Sequence, residues 1–162
     1  MVAASLSAIV FAGILSAFLF MGRSLTRLIN LQTQEVASRR AVRLFTQDVS
    51  AAIQLTTCVA TQVTMTKPAA SGTTTVSYGF DAATGVFVRT EGSDAQTILR
   101  GLTALAITYY NEGGAVITGS PQSVKAVEFS FTTATGSEAS GTKVNYRMVS
   151  PRVILRNKPL LE

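Results

Sequence analysis

The chain has 162 residues, which is enough for one compact domain with an extension but short for two full domains. It contains no histidine, and Cys58 is its single cysteine. A His-dependent catalytic triad, a zinc site and a disulfide within the chain are therefore excluded. Of the net charge of +5, most comes from residues 23–43, which hold five arginines and one glutamate. The remainder is close to neutral, which disfavours nucleic-acid binding.

The first 55 residues have the pattern of one long helix with two different surfaces. Residues 1–22 carry no charge, and charged residues follow at helical intervals from Arg23 onward. No proline interrupts the run, since the first proline is Pro68. About 20 apolar residues in a helix cross the hydrocarbon core of a bilayer. The sequence therefore predicts an apolar transmembrane or filament-core half over 1–22 and an amphipathic half of the same helix over 23–55.

Three interpretations of residues 1–22 are open. A secretory signal peptide is disfavoured because no basic residue precedes Arg23 and the apolar run is too long. A single-pass anchor fits the length, but the positive-inside rule would then place the Arg23 side in the cytoplasm. In the third interpretation the natural N-terminus lies upstream, with a basic leader that fixes the orientation.

The apolar half combines small residues, which let neighbouring helices approach closely, with bulky ones that fill the spaces between them. The alternative is a lone anchor in which the small residues have no role. The residues that we expect to pack in a filament or a membrane are Ala4, Ala8, Phe11, Gly13, Leu15, Ala17, Phe18 and Leu19.

The amphipathic half is suited to lying across a sheet, because apolar residues recur on one face at spacings of three and four. The residues expected to pack helix against head are Val42, Phe45, Val49 and Ile53. The charged residues, including Asp48, fall on other faces, where they are either solvated or paired between subunits. The candidates for such charge pairing are Arg23, Arg27, Glu35, Arg39, Arg40 and Arg43.

Residues 56–162 predict a β-rich globular head, because threonine, valine, serine and glycine dominate and apolar residues alternate with polar ones. Strands are expected at 62–66, 73–80, 86–91, 102–110, 115–118, 127–132 and 144–149. Lys67 and Pro68 should end the first strand, and 136–141 should form an exposed loop. The predicted class is α+β, with the C-terminal half of a long N-terminal helix packed on an antiparallel sheet.

Residues 1–10, MVAASLSAIV, resemble the N-terminal helix of type IV pilins and type II secretion pseudopilins. In that family a basic leader is removed before a phenylalanine-led helix with a glutamate near its start. Neither residue is present here, so Met1 is expected to lie a few residues inside the mature protein. RRAVRLFTQD at 39–48, Tyr78 and Arg89 in the first hairpin, ILRGLTAL at 98–105 and RVILRN at 152–157 resemble minor pilins and, most closely, J-type minor pseudopilins.

No catalytic constellation is visible. The acidic residues of the head are scattered singly, without the alternating spacing of a calcium loop, and no histidine can activate the serines and threonines. We therefore expect no enzymatic activity, no metal and no cofactor.

The resemblance implies a structural subunit of a type IV pilus-like filament or a type II secretion pseudopilus, which serves protein transport. Its partners would be other pilin or pseudopilin subunits, a prepilin peptidase and, before assembly, the bacterial inner membrane, with no nucleic acid. The head would lie in the periplasm or on an extracellular or periplasmic filament, and the mature N-terminus would be methylated. The alternative is a monomeric, single-pass membrane-anchored β-rich binding module.

Overall fold

The computed structural model describes residues 2–70, 72–135 and 144–157. One long helix, α1, is followed by β-strands that all pair in the antiparallel sense. The elements are α1 Val2–Ala51, β1 Gln54–Val59, β2 Gln62–Ala69, β3 Gly72–Asp81, β4 Val86–Glu91, β5 Asp94–Leu99, β6 Leu102–Tyr110, β7 Val116–Ile117, a 3-10 turn Pro121–Ser123, β8 Ala126–Thr135, β9 Val144–Val149 and β10 Val153–Ile154. The predicted α+β class is confirmed.

The chain divides into two compact units, Met1–Val36 and Ala37–Glu162. Within the described residues the first unit consists of helix alone. The second unit contains the C-terminal part of α1, from Ala37 to Ala51, together with all the strands. The two units are described separately below.

The first sheet of the second unit is a meander in which β1, β2, β3, β4 and β5 pair in chain order. The predicted hairpin at 73–80 and 86–91 is confirmed as β3 and β4, with Phe80 opposite Phe87. The expectation that Lys67 and Pro68 end a strand is wrong, because β2 continues to Ala69. β1 stops opposite Thr66. At Pro68, β2 therefore has a neighbour on one side only, which is where a strand tolerates proline.

The second sheet is organised around β8. One side of β8 pairs with β6, and the other pairs first with β10 and then with β9, while β7 pairs with the end of β6. The alternation predicted at 127–132 is confirmed, since Val127, Phe129 and Phe131 are buried and the residues between them are half-buried. Residues 136–141, predicted as a loop, lie outside the described residues.

Five aromatic rings connect α1 to both sheets. The ring centroid of Phe45 lies 5.3 Å from that of Tyr78 in the first sheet and 4.9 Å from that of Phe129 in the second. Phe87 and Phe129 bring the two sheets together at 5.1 Å, and Phe131 extends the cluster. Aromatic pairs at such distances add about 0.5–1.5 kcal/mol each beyond the burial of their area. The helix thus covers the buried faces of both sheets at once.

Backbone hydrogen bonds join the sheets directly as well. The Ile107 N–H donates to the Ala60 carbonyl at 2.8 Å, and the Leu102 N–H donates to the Gly85 carbonyl at 3.0 Å. Gly85 has a φ of +64°, and a Cβ at this position would lie 2.8 Å from the Leu102 oxygen. The β3–β4 turn therefore requires glycine here, both for its backbone angle and for its close approach to β6.

Three sequence predictions near the element ends need correction. The helix ends at Ala51 rather than Leu55, because residues 54–59 form β1, which the sequence did not predict. Ile53, expected on the helix face, lies beyond the helix end, and its N–H donates to the Thr66 carbonyl at 2.8 Å. Residues 94–99 form β5, a strand that the sequence did not predict. Gly92, with a φ of +61°, supplies the tight turn before it.

Replacing Phe45 with alanine should destabilise the second unit by about 3–5 kcal/mol, because the cavity would open at the contact of the helix with both sheets. Denaturant unfolding of the full chain in detergent micelles, followed by tyrosine circular dichroism, measures this loss. Phe20→Ala is the matched control, since Phe20 is 74% exposed and its loss should change the unfolding free energy by less than about 0.5 kcal/mol. Equal effects of the two substitutions would contradict this assignment of the core.

Candidate functional site

The first candidate site is the apolar surface of α1 in the first unit. Phe11 and Phe18 are 73% and 70% exposed, and Leu15 and Leu19 are exposed as well. In the part of the chain that the structure describes, nothing lies within 4 Å of a Cβ built on Gly13. Ala17 is exposed, and Ala4 and Ala8 lie in the helix, where their side chains are outside the description. α1 is long and apolar enough from Ile9 onward to cross a membrane, which makes it compatible with a membrane anchor.

This apolar surface does not stop where the uncharged segment ends. Leu25, Leu28, Ile29 and Val36 are all more than half exposed. Their spacing places them on one side of the helix, away from Arg23 and Arg27. The surface is therefore longer than one bilayer crossing requires.

The predicted charge-pairing residues are distributed over both units. Arg23 and Arg27 are exposed and Glu35 is half-buried in the first unit, whereas Arg39, Arg40 and Arg43 are exposed in the second. The structure contains a single copy of the chain, so pairing between subunits stays a prediction.

A second candidate site is a polar cluster beneath the C-terminal end of α1, which we call the Asp48 cluster: Asp48, Lys67, Tyr78, Arg89 and Glu91. Asp48 lies three residues beyond Phe45 and so shares its face of the helix. Strand alternation places Lys67 on the same side of β2 as Met65, and Arg89 on the same side of β4 as Phe87. These positions place the side chains of the cluster between the helix and the first sheet.

Every charged group of the Asp48 cluster has a partner of opposite sign. Arg89 Nε donates to Asp48 Oδ2 at 2.6 Å, and Lys67 Nζ lies 3.1 Å from Asp48 Oδ1. The Tyr78 hydroxyl donates to Asp48 Oδ2 at 2.7 Å. Glu91 accepts from both cations at 2.7 Å. The carboxylates of Asp48 and Glu91 thus neutralise the two cations, and the Asp48 side chain is only 7% exposed.

The pKa shifts follow from this geometry. Burial alone would raise the pKa of Asp48, but the hydrogen bonds from Arg89, Tyr78 and Lys67 together outweigh it and hold the pKa below its usual value. Hydrogen bonds from Lys67 and Arg89 lower the pKa of Glu91. Burial, with the adjacent Asp48 carboxylate, raises the pKa of the Tyr78 hydroxyl. The cluster is therefore fully charged, with a neutral tyrosine, across the physiological range.

The chemistry of the Asp48 cluster fits a structural contact between the helix and the first sheet. Its acidic and basic groups satisfy one another, and Tyr78 is held protonated rather than poised to give up its proton. Among residues 2–70, 72–135 and 144–157, no group of three or more potential metal-ligating side chains is close enough to hold an ion. The cluster joins the helix to β2, β3 and β4.

The sequence prediction for Asp48 is wrong, since it placed this residue on a face away from the packing residues, either solvated or paired between subunits. The structure buries Asp48 beside Val49 and pairs it with three side chains. Phe45 and Val49 are fully buried, whereas Val42 and Ile53 are half-buried. The spacing Phe45–Asp48–Val49 was one available signal for the cluster, and the position of Lys67 and Arg89 two residues beyond the buried Met65 and Phe87 was the other.

A scan of the sequence against models of protein families finds no match, and a search of curated proteins finds none. The pilin resemblance is therefore supported only at the level of architecture. One long N-terminal apolar helix packs on antiparallel β-structure, an arrangement compatible with a pilin-like fold.

Replacing Asp48 with asparagine should lower the unfolding free energy by about 2–4 kcal/mol, because Lys67 and Arg89 would remain largely buried beside a neutral side chain. Denaturant unfolding in detergent micelles measures this change. Asp94→Asn removes the same charge at an exposed position and should have an effect below about 0.5 kcal/mol. A wild-type midpoint in the Asp48 variant would show that the cluster adds no stability.

The stability of the second unit should depend on pH in the acid range. The pKa values of Asp48 and Glu91 are lower in the folded chain than the unfolded values of about 3.9 and 4.3. Their contribution is therefore complete above about pH 5 and is lost as the pH falls through the folded pKa values. Asp48→Asn should flatten this loss in unfolding curves recorded at a series of pH values, and Asp94→Asn should preserve it. Parallel pH profiles for wild type and Asp48→Asn would refute the assignment.

Proposed function

We propose that the protein is a structural subunit of a type IV pilus-like filament or a type II secretion pseudopilus, which polymerises through its N-terminal helix. The observation that supports this proposal is the exposed apolar surface of the first unit, which runs from Ile9 to Val36. Leaving apolar surface in water costs about 25 cal/mol per Å². In the cell this helix therefore needs a cover of lipid or of other helices.

The length of the surface favours helices as the final cover. The uncharged residues 2–22 already provide about 31 Å of helix, which matches the hydrocarbon core of a bilayer. Leu25, Leu28, Ile29 and Val36 extend the apolar surface beyond that length. A lone anchor would leave Val36 in water, because this residue lies about 21 Å of helix beyond the uncharged segment. A bundle of neighbouring subunit helices would cover all four side chains.

Small residues in the uncharged segment fit the same proposal. Gly13 has open space around it, and Ala17 and Ser16 follow at spacings of four and three. Helices that pack in lipid or in a filament core approach one another where side chains are small. Gly13 would then lie at a contact between subunits, where its missing side chain brings two helix backbones together.

In this proposal the protein has a structural role without catalysis. Before assembly the helix would lie in the bacterial inner membrane with the β-rich part in the periplasm. A prepilin peptidase would process the precursor, and methylation would follow at the mature N-terminus. The sheets of the second unit, fixed to residues 37–51 of α1 by Phe45 and the Asp48 cluster, would set the contacts between neighbouring heads.

Gly13→Leu should abolish incorporation into filaments while leaving membrane insertion intact. Among the described residues nothing lies within 4 Å of a Cβ built at this position, so a loss of assembly would reflect contacts between subunits. The measurement compares the amount of variant in sheared filaments with the amount that resists carbonate extraction from membranes. Gly13→Ala is the matched control, because it adds one methyl group, favours the helix by about 1 kcal/mol and should assemble.

Wild-type incorporation of Gly13→Leu would contradict helix packing at this position. A wild-type chain that inserts in membranes but stays monomeric, and is never found in sheared filaments, would instead favour a membrane-anchored binding module.

A further inference from the structure

We propose that Arg23 and Arg27 form a contact site for the phosphate groups of anionic phospholipids, which holds the unassembled subunit at a fixed depth in the bilayer. The inference rests on the proposed function to the extent that α1 must insert in a membrane. The apolar residues before the two arginines have only hydrocarbon to contact.

The depth of the two arginines supports this assignment. Arg23 is the first charged residue after at least 21 uncharged helical residues, which is the length that crosses the hydrocarbon core, so it emerges where the lipid headgroups begin. Arg27 follows four residues later, about 6 Å further along the helix. The headgroup region on each side of a bilayer is about 5–7 Å thick. Both guanidinium groups therefore reach the phosphate layer on side chains long enough to adjust their depth.

The two arginines also act from the same side of the helix. Residues four apart are neighbours on a helix surface, and both side chains are exposed. Glu35 is the one acidic residue in the chain before Ala37, and it lies eight residues beyond Arg27. The local charge is therefore positive. A planar guanidinium binds a phosphate through two parallel hydrogen bonds, which favours arginine over the point charge of a lysine for this contact.

The side of the helix away from the arginines is apolar, and this would orient the helix in the membrane. Leu25, Leu28 and Ile29 are exposed there, and an apolar side opposite a cationic side is typical of helices at a membrane interface. The apolar side would turn toward acyl chains while Arg23 and Arg27 turn toward phosphates. This arrangement sets both the depth and the rotation of the helix before assembly.

The contact has a consequence for assembly, because it must be released when the helix leaves the lipid. Each basic residue near an anionic membrane surface strengthens binding by about fivefold. The two arginines together would slow extraction of the subunit in anionic membranes, and high salt would weaken their effect by screening.

The test uses the full chain reconstituted in phosphatidylcholine vesicles that contain traces of spin-labelled phosphatidylglycerol or spin-labelled phosphatidylcholine. Electron spin resonance measures the fraction of each lipid immobilised at the protein, and hence their relative association constants. Wild type should prefer phosphatidylglycerol by about fivefold or more at low salt. Arg23→Gln/Arg27→Gln should abolish the preference. Arg40→Gln/Arg43→Gln, which removes two exposed arginines of the second unit, should retain it.

The possible failures are distinguishable. Immobilised lipid without a preference for phosphatidylglycerol in wild type, or a preference that survives Arg23→Gln/Arg27→Gln, would overturn the lipid contact and leave the filament proposal standing. A preference lost only in Arg40→Gln/Arg43→Gln would assign the lipid contact to the second unit and also overturn the inference. No immobilised lipid of either kind would mean that α1 does not insert, and both proposals would fall.

Discussion

The contact between one turn of α1 and the two sheets is the constraint on which the second unit depends. Phe45 touches Tyr78 in the first sheet and Phe129 in the second, so a single side chain joins three elements. This apolar contact supplies stability but little direction, because the hydrophobic effect is not directional. Asp48, three residues later, accepts hydrogen bonds from β2, β3 and β4. Those bonds fix how far along the first sheet the helix lies and how it is rotated.

The first unit presents the opposite situation. Its side chains from Ile9 to Val36 are largely exposed and apolar, and within the described residues this unit has no sheet to cover them. In the proposed function the cover changes during the life of the subunit, from lipid before assembly to neighbouring helices afterwards. Arg23 and Arg27 would belong to the first of these states, since their preferred partner is the lipid phosphate. Because the sheets are fixed to residues 37–51 of α1, the residues before Ala37 could move from lipid to neighbouring helices without disturbing the head.

The sequence was informative wherever one periodicity continued over many residues. The uncharged run before Arg23, the alternation around Phe129 and the glycine-containing turn before β4 predicted the long helix and most strands. Local pattern failed where a neighbour decides the structure. β1 was missed because its residues pair with β2 through contacts that no short window contains, and Pro68 is tolerated because β1 ends before it. Asp48 was misplaced because its partners lie 19 to 41 residues away, and a buried carboxylate is stable only with those partners in place.

In the proposed filament the apolar part of α1 lies in the core, and mass spectrometry of the native protein can test this placement. The intact mass and N-terminal sequence would be determined in parallel for the envelope fraction and the sheared-filament fraction. The same chain is expected in both, with the apolar residues before Arg23 present and with additional residues before Met1 that begin with an N-methylated phenylalanine. A native chain that starts between Ala17 and Arg23, or one found only outside the filament fraction, would mean that α1 does not form a filament core.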